Sequence, residues 1–201
     1  MNNTDIALYK EDAAAAFSYT TKFVTGNLNF KFTADFNMGA WDGAYGSVET
    51  DKPMNGTLTD AGGTANISVP VEDTYYTVTV DVENMTYTWT ELSNQAPTEY
   101  ATIGILGDFN GWPNEGDPDV DMTQVTPHNW YVETNISTTG GLKFRANDAW
   151  DVSWGGSFSI DETNHYGTTT SDNGANITVP AGTYRIYFND ITGQCVFVPV
   201  E

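Results

Sequence analysis

Residues 28–41, LNFKFTADFNMGAW, and residues 142–154, LKFRANDAWDVSW, are two versions of one phrase. Downstream of them stand ANISVP, ending at Pro70, and ANITVP, ending at Pro180. A repeat of roughly 110 residues is too long for a solenoid unit and is about the size of one small domain, so the chain reads as two tandem copies of a module. The step from Phe30 to Phe36 equals that from Phe144 to Trp150. Aligned on that step, Asn29 stands for Lys143, Lys31 for Arg145 and Phe36 for Trp150, and Trp41 corresponds to Trp154 with a shift of one residue.

Working outward, apolar and polar residues alternate with the period of a strand. In the second half, strands are predicted near 101–107, 129–136, 141–147, 175–179, 183–189 and 194–199. In the first half, strands near 17–24, 27–33, 65–69, 74–80 and 85–90 match the last five of these. The first has no counterpart, because nothing before Ile6 resembles ATIGILGDFNGW. Module one therefore lacks its opening strand or draws it from DIALY. The run at 12–16 is helix-prone but long enough for only one turn. SNQAPTEY at 93–100 carries Pro97 among small polar residues and reads as a linker. The expected organisation is module one over 1–94, a linker at 95–99 and module two over 100–201. The fold class is all-β: two tandem antiparallel β-sandwiches of immunoglobulin-like type.

The chain has 13% aromatic residues against 17% charged ones. Thr, Asn, Ser and Gly carry the polar surface, a balance that suits β-sandwiches and surfaces that meet sugars. The formal charge is −20, from 7 Lys+Arg against 27 Asp+Glu. That charge repels polyphosphates and argues against nucleic acid and anionic membranes as partners. One cysteine, Cys195 in QCVFVPV, leaves no intrachain disulfide framework and reads as a buried thiol. Met1 opens directly on polar sequence with no leader or membrane-spanning run, so the chain reads as a piece of something longer.

A pyranose offers an apolar face of C–H groups and an equator of hydroxyls. Its binder needs flat aromatic surfaces with polar groups at the rim. Module two offers Trp112 at the end of GDFNGW, Trp150 at the end of LKFRANDAW and Trp154 in VSWGG, with Lys143 and Arg145 as donors and Asn147 as a further polar contact. Trp112, Trp150 and Trp154 are read as loop residues with exposed rings. Trp130 shares a strand face with Val132 and Ile136 and is read as core. Asp117, Asp119 and Asp121 alternate in the manner of a calcium loop, but Met122 and His128 stand where the loop needs Gly and Glu, so the run reads as a solvated acidic turn. His128 and His165 lack a second ligand at metal-site spacing and read as surface or loop histidines. No cofactor or metal is expected. No nucleophile triad or phosphate loop stands out, and two modules of this size leave little room for a deep catalytic cleft.

The DFNGW phrase, with a Lys seven residues before Trp150, resembles the glycogen- and starch-binding modules that accompany branching and debranching enzymes. That resemblance implies that Trp112, Lys143 and Trp150 contact an α-glucan, with Asn173 and Asn176 as polar neighbours. The phrases DMTQ, LKFRANDAWDVSWGG, ANITVPAGTY and FNDITG resemble, over nearly all of residues 100–200, the C-terminal modules of starch-utilisation surface lipoproteins of gut Bacteroidetes, the SusE and SusF type. GGTANISVP and VTVDVENMTYTW extend the likeness into module one. The resemblance implies non-catalytic carbohydrate-binding modules at an outer-membrane surface. It also implies polysaccharide, chiefly α-glucan, as ligand and other starch-utilisation proteins as partners. Module one would carry a reduced second site at Lys31, Phe36 and Trp41. The rival readings are a different polysaccharide, a protein-interaction pair, and an accessory fragment of a glycoside hydrolase.

Overall fold

The computed structural model describes residues 6–10, 15–24, 29–30, 45–47, 49, 51, 54–60, 67–171 and 174–200. The chain divides into two compact units, Met1–Ala96 and Pro97–Glu201. Gln95 is tied to the first unit: its side chain accepts from the Tyr75 N–H at 2.8 Å and donates to the carbonyls of Tyr75 and Leu92. Tyr100 packs edge-on against Trp154 in the second.

The second unit is a sandwich of two antiparallel sheets. One runs in the order Val120–Asp121, Ile103–Gly107, Gly140–Ala146, Ser153–Gly155, Thr170–Ser171, with Ile177–Val179 also paired to Gly140–Ala146. The other runs Thr123–Thr126, Asn129–Ile136, Gly182–Asn189, Gln194–Pro199, Tyr166–Thr168. Alternation sends Leu142, Phe144 and Ala146 inward to meet Ile103, Ile105, Ile186, Phe188 and Phe197. The Phe144 and Phe188 rings stack across the two sheets at 4.1 Å. Trp130 is core as expected, and its indole N–H donates to Asp190 Oδ2 at 2.8 Å. His128, read from sequence as a surface or loop residue, is buried instead, with Nδ1 2.6 Å from Asp190 Oδ1. Cys195 is buried among apolar groups, which pushes its thiol far up and leaves it inert as a nucleophile.

The first unit repeats the second sheet strand for strand. Its order is Tyr9–Lys10, Ala16–Phe23, Thr74–Asp81, Thr86–Glu91, Asn55–Thr59, with Gly46–Ser47 added at the edge. Tyr9–Lys10 pairs with Ala16–Phe23, just as Thr123–Thr126 pairs with Asn129–Ile136. Of DIALY, Tyr9 therefore belongs to that edge strand and not to a counterpart of Ile103–Gly107. Ala16 is likewise strand, and residues 12–14 of the helix-prone run lie outside the described residues.

The register of the other repeated strand corrects the sequence alignment. Phe30 pairs with Ile67 of ANISVP, and Leu142 pairs with Ile177 of ANITVP. Phe30 is thus the equivalent of Leu142, two positions away from the match to Phe144. Shifted by those two positions, the sequence FKFTA at 30–34 aligns with LKFRA at 142–146, so that Lys31, which lies outside the described residues, aligns with Lys143 instead of Arg145.

Removing the Phe144 ring should cost about 3–5 kcal/mol, because the stacked pair cannot close over the space left behind. Denaturant melts of Phe144→Ala test this, and a loss under about 1 kcal/mol would show that the two sheets are not packed through that ring.

Candidate functional site

The outward face of strand Gly140–Ala146 carries Gly141, Lys143 and Arg145, alternating with the core residues. At one end of this face, Gly140 and Gly141 leave the backbone bare. A Cβ on Gly140 would collide with Asp108 Oδ2, and one on Gly141 with the Asn176 amide. Both polar side chains therefore come down onto the strand, and Asp108 Oδ2 accepts the Gly141 N–H at 2.6 Å.

Asp108 also shapes the turn that bears Trp112. Ile103–Gly107 ends in one turn of 3-10 helix, Asp108–Asn110, followed by Gly111 at φ 75° and Trp112 at φ 54°. A bulky residue in the left-handed region is uncommon. Here the Trp112 N–H reaches the Gly107 carbonyl, and the indole N–H donates to Asp108 Oδ1 at 2.7 Å. These donors from Trp112 and Gly141 hold the Asp108 carboxyl below its ordinary value. The Trp112 ring remains half-exposed.

Lys143 is half-buried, and its ammonium donates to the Gly174 carbonyl. Burial lowers its pKa. Gly155, which has no side chain, lets the lysine head and the chain at 174–175 approach this closely. Asn176 is exposed beside Gly141, so Lys143 and Asn176 lie together at the Trp112 end of the face.

Arg145 is fully buried. Its Nε and Nη2 hold both oxygens of Asp119, at 2.9 and 2.8 Å, and its remaining donors reach the carbonyls of Pro113, Asn114 and Asp117. Both side chains of the pair are 0% exposed. Burial pushes the Asp119 carboxyl up, against the pull of Arg145. The expectation that Arg145 donates to a sugar is therefore corrected: its donors are spent on folding residues 113–119 back over the sheet. Within the acidic run, Asp117 and Asp121 are exposed, whereas Asp119 is corrected: it is the counter-charge of Arg145 and not a solvated turn residue.

The guanidinium has one further neighbour. It lies 4.9 Å from the Trp150 ring centroid, and Trp150 is 41% exposed. One face of the indole rests on a fixed cation, and the ring keeps open area toward solvent. One buried arginine thus connects the two tryptophans: Trp150 directly, and Trp112 through the carbonyl of the adjoining Pro113.

Trp154 is not a platform. It lies in Ser153–Gly155 opposite Phe144 and is buried against Tyr100 and Phe188. Val152 and Trp154 alternate in sequence on the inward face, a strand signal hidden by the reading of VSWGG as loop. Asn147 is exposed, but its side-chain oxygen accepts from the backbone N–H groups of Ala101 and Thr102, so it secures the start of the neighbouring strand. Asn173 and the module-one set Lys31, Phe36 and Trp41 lie outside the described residues. Asp108 and Asp119 were missed. The Asp-to-Trp step inside DFNGW was an available signal for the first, and no local signal marks the second.

No family model matches the chain, and no curated protein matches it. Among solved structures it is similar to SusF from Bacteroides thetaiotaomicron, with a TM-score of 0.38 and 18% identity over 96% of this chain and 44% of that one. The chain therefore spans less than half the length of that protein. The fold described above rests on strand pairing and not on this likeness.

Arg145→Met should destabilise the protein by about 3–5 kcal/mol by leaving Asp119 buried without a partner, and adding Asp119→Leu should recover most of that loss. Chemical unfolding of the single and double variants measures both effects, and no recovery in the double variant would contradict the ion-pair account. Asp108 gives a second test. A carboxyl held below its ordinary value contributes stability above pH 3.8 that is lost as pH falls through the lowered value. The melting-temperature gap between the unmodified protein and Asp108→Asn should be constant near neutrality and shrink below about pH 3.8.

Proposed function

We propose that this protein is a non-catalytic carbohydrate-binding protein that holds α-glucan, starch or its oligosaccharides, at an outer-membrane surface alongside other starch-utilisation proteins. The observation that carries the reading is the Trp150 ring, open to solvent and seated on the Arg145 guanidinium. A seated ring has little rotamer freedom left to lose when a sugar stacks on it. Trp112 is the second platform, and Lys143 and Asn176 are the polar groups at its end of the face. The sequence resemblance of DFNGW, Lys143 and Trp150 to starch-binding modules supports an α-glucan as the ligand, and the surface location follows from the same likeness. Among the described residues no helix is long and apolar enough to cross a membrane.

Module one carries a second, weaker site at Lys31, Phe36 and Trp41. The alignment of FKFTA with LKFRA supports it, because Lys31 then aligns with Lys143 and the polar group most characteristic of the motif is retained in the sequence. Two weak sites on one chain raise the apparent affinity for a polymer when both reach the same strand of glucan.

Calorimetry on the full chain tests the proposal, with maltoheptaose and a cyclodextrin set against xylan and mannan oligomers. The expected dissociation constant for an α-glucan is roughly micromolar to millimolar, about −8 to −4 kcal/mol. Heat with another glycan and none with an α-glucan would overturn the ligand assignment. Trp150→Ala should cost about 2 kcal/mol or more of binding while leaving the melting temperature nearly unchanged. A large fall in melting temperature would make Trp150 a packing residue instead.

A further inference from the structure

A groove of about 500 Å³ opens at the end of the second sandwich where the 147–152 loop lies. Its apolar part includes Trp154, Tyr100, Val152 and Ile191, and its polar part includes Thr170, Ser171, Thr192 and Asp151. The size falls within the roughly 300–1,000 Å³ of small-ligand sites. The chain builds this groove by crossing between the sheets. Tyr166–Thr168 pairs in one sheet and Thr170–Ser171 in the other. Between them, the Thr169 N–H and Oγ1 both donate to the Gly193 carbonyl at 2.8 Å, fixing the crossing against the Asp190–Gly193 turn.

The charge of the lining restricts the ligand. Among the described residues that line it, Asp151 and Asp190 are the carboxylates and there is no lysine or arginine. Asp190 is committed to His128 and Trp130, whereas Asp151 is exposed and forms no ion pair with a described residue. Anions such as phosphates, sulfated sugars and uronates are disfavoured. A neutral polyol fits, since its hydroxyls can donate to Asp151 and both donate to and accept from Thr170, Ser171 and Thr192.

The location ties the groove to the tryptophan site. Asp151 follows Trp150 directly, at the end of a loop turned by left-handed Asn147 and Asp148, with φ 54° and 53°. Lys143 and Arg145 share the outward face of Gly140–Ala146, Trp150 lies on Arg145, and the next residue, Asp151, lines the groove, which opens beside the inward-facing Val152 and Trp154.

We infer that the groove is an extension subsite, taking the sugar residues of an α-glucan that lie beyond the one stacked on Trp150. The inference rests on the reading of Trp150 as a glucan platform. A chain long enough to pass Trp150 reaches Asp151 and the hydroxyl-lined wall, and a short one does not. The second unit therefore discriminates by length as well as by composition.

Calorimetry on the full chain compares maltotriose with maltoheptaose for three variants: Asp151→Ala, Thr170→Arg, which lays a long side chain across the groove, and Trp150→Ala. The groove variants should weaken maltoheptaose binding about tenfold each and leave maltotriose binding unchanged, while Trp150→Ala weakens both. Unaltered maltoheptaose binding in both groove variants, with Trp150→Ala still defective, would overturn the subsite and leave the platform standing. Equal weakening of both ligands by the groove variants would also overturn it, because the groove would then act only through the fold. Undiminished binding in Trp150→Ala would overturn the platform reading itself.

Discussion

The second unit depends on one buried ion pair. A guanidinium on the outward face of a sheet would ordinarily point to solvent, and taking it out of water costs several kcal/mol unless every donor is matched. Arg145 meets that condition with the two oxygens of Asp119 and three loop carbonyls. The consequence is architectural. Residues 113–119, whose apolar side chains are the rings of Pro113 and Pro118 alone, are held against the sheet by the arginine. The Trp112 turn is therefore anchored at two places: by Asp108 on Gly141, and by Pro113 on Arg145. Trp150 completes the arrangement by lying on the same cation.

This arrangement suits a ligand with weak individual contacts. A sugar face gains modest dispersion energy from an indole, so ordering a loose ring at the moment of binding would consume much of that gain. Seating the ring in the free protein moves that entropic cost into folding. A surface with a net charge of −20 adds no electrostatic attraction for a neutral glucan. Binding is accordingly expected to depend on ring geometry and hydroxyl contacts and to respond little to salt.

Much of the fold was legible from period-two alternation. Asn129–Ile136 falls where sequence placed it, and Trp130 is core for the stated reason, that it shares a face with Ile136. Short strands without a long alternating run, such as Ser153–Gly155 and Thr170–Ser171, were not legible, and Trp154 was misassigned with them. The repeat register was misread for a related reason. A slip of two residues keeps every side chain on its face, so the aromatic pattern of LNFKF fits two alignments equally well. Only the pairing of Phe30 with Ile67 distinguishes them. Arg145 was beyond local reasoning altogether, because its burial comes from a loop that folds back from a different strand. The exposure of Trp150 and the placement of Lys143 on the strand were legible because the motif sets them on one strand and the loop that follows it.

The central claim is that the indole of Trp150, seated on Arg145, is where the glucan stacks. A crystal structure of the full chain with maltoheptaose tests it most directly. The account predicts a glucose ring lying flat on the face of Trp150 turned away from the guanidinium, with the Arg145–Asp119 pair unmoved beneath it. A bound oligosaccharide that leaves the Trp150 ring bare to solvent would contradict it.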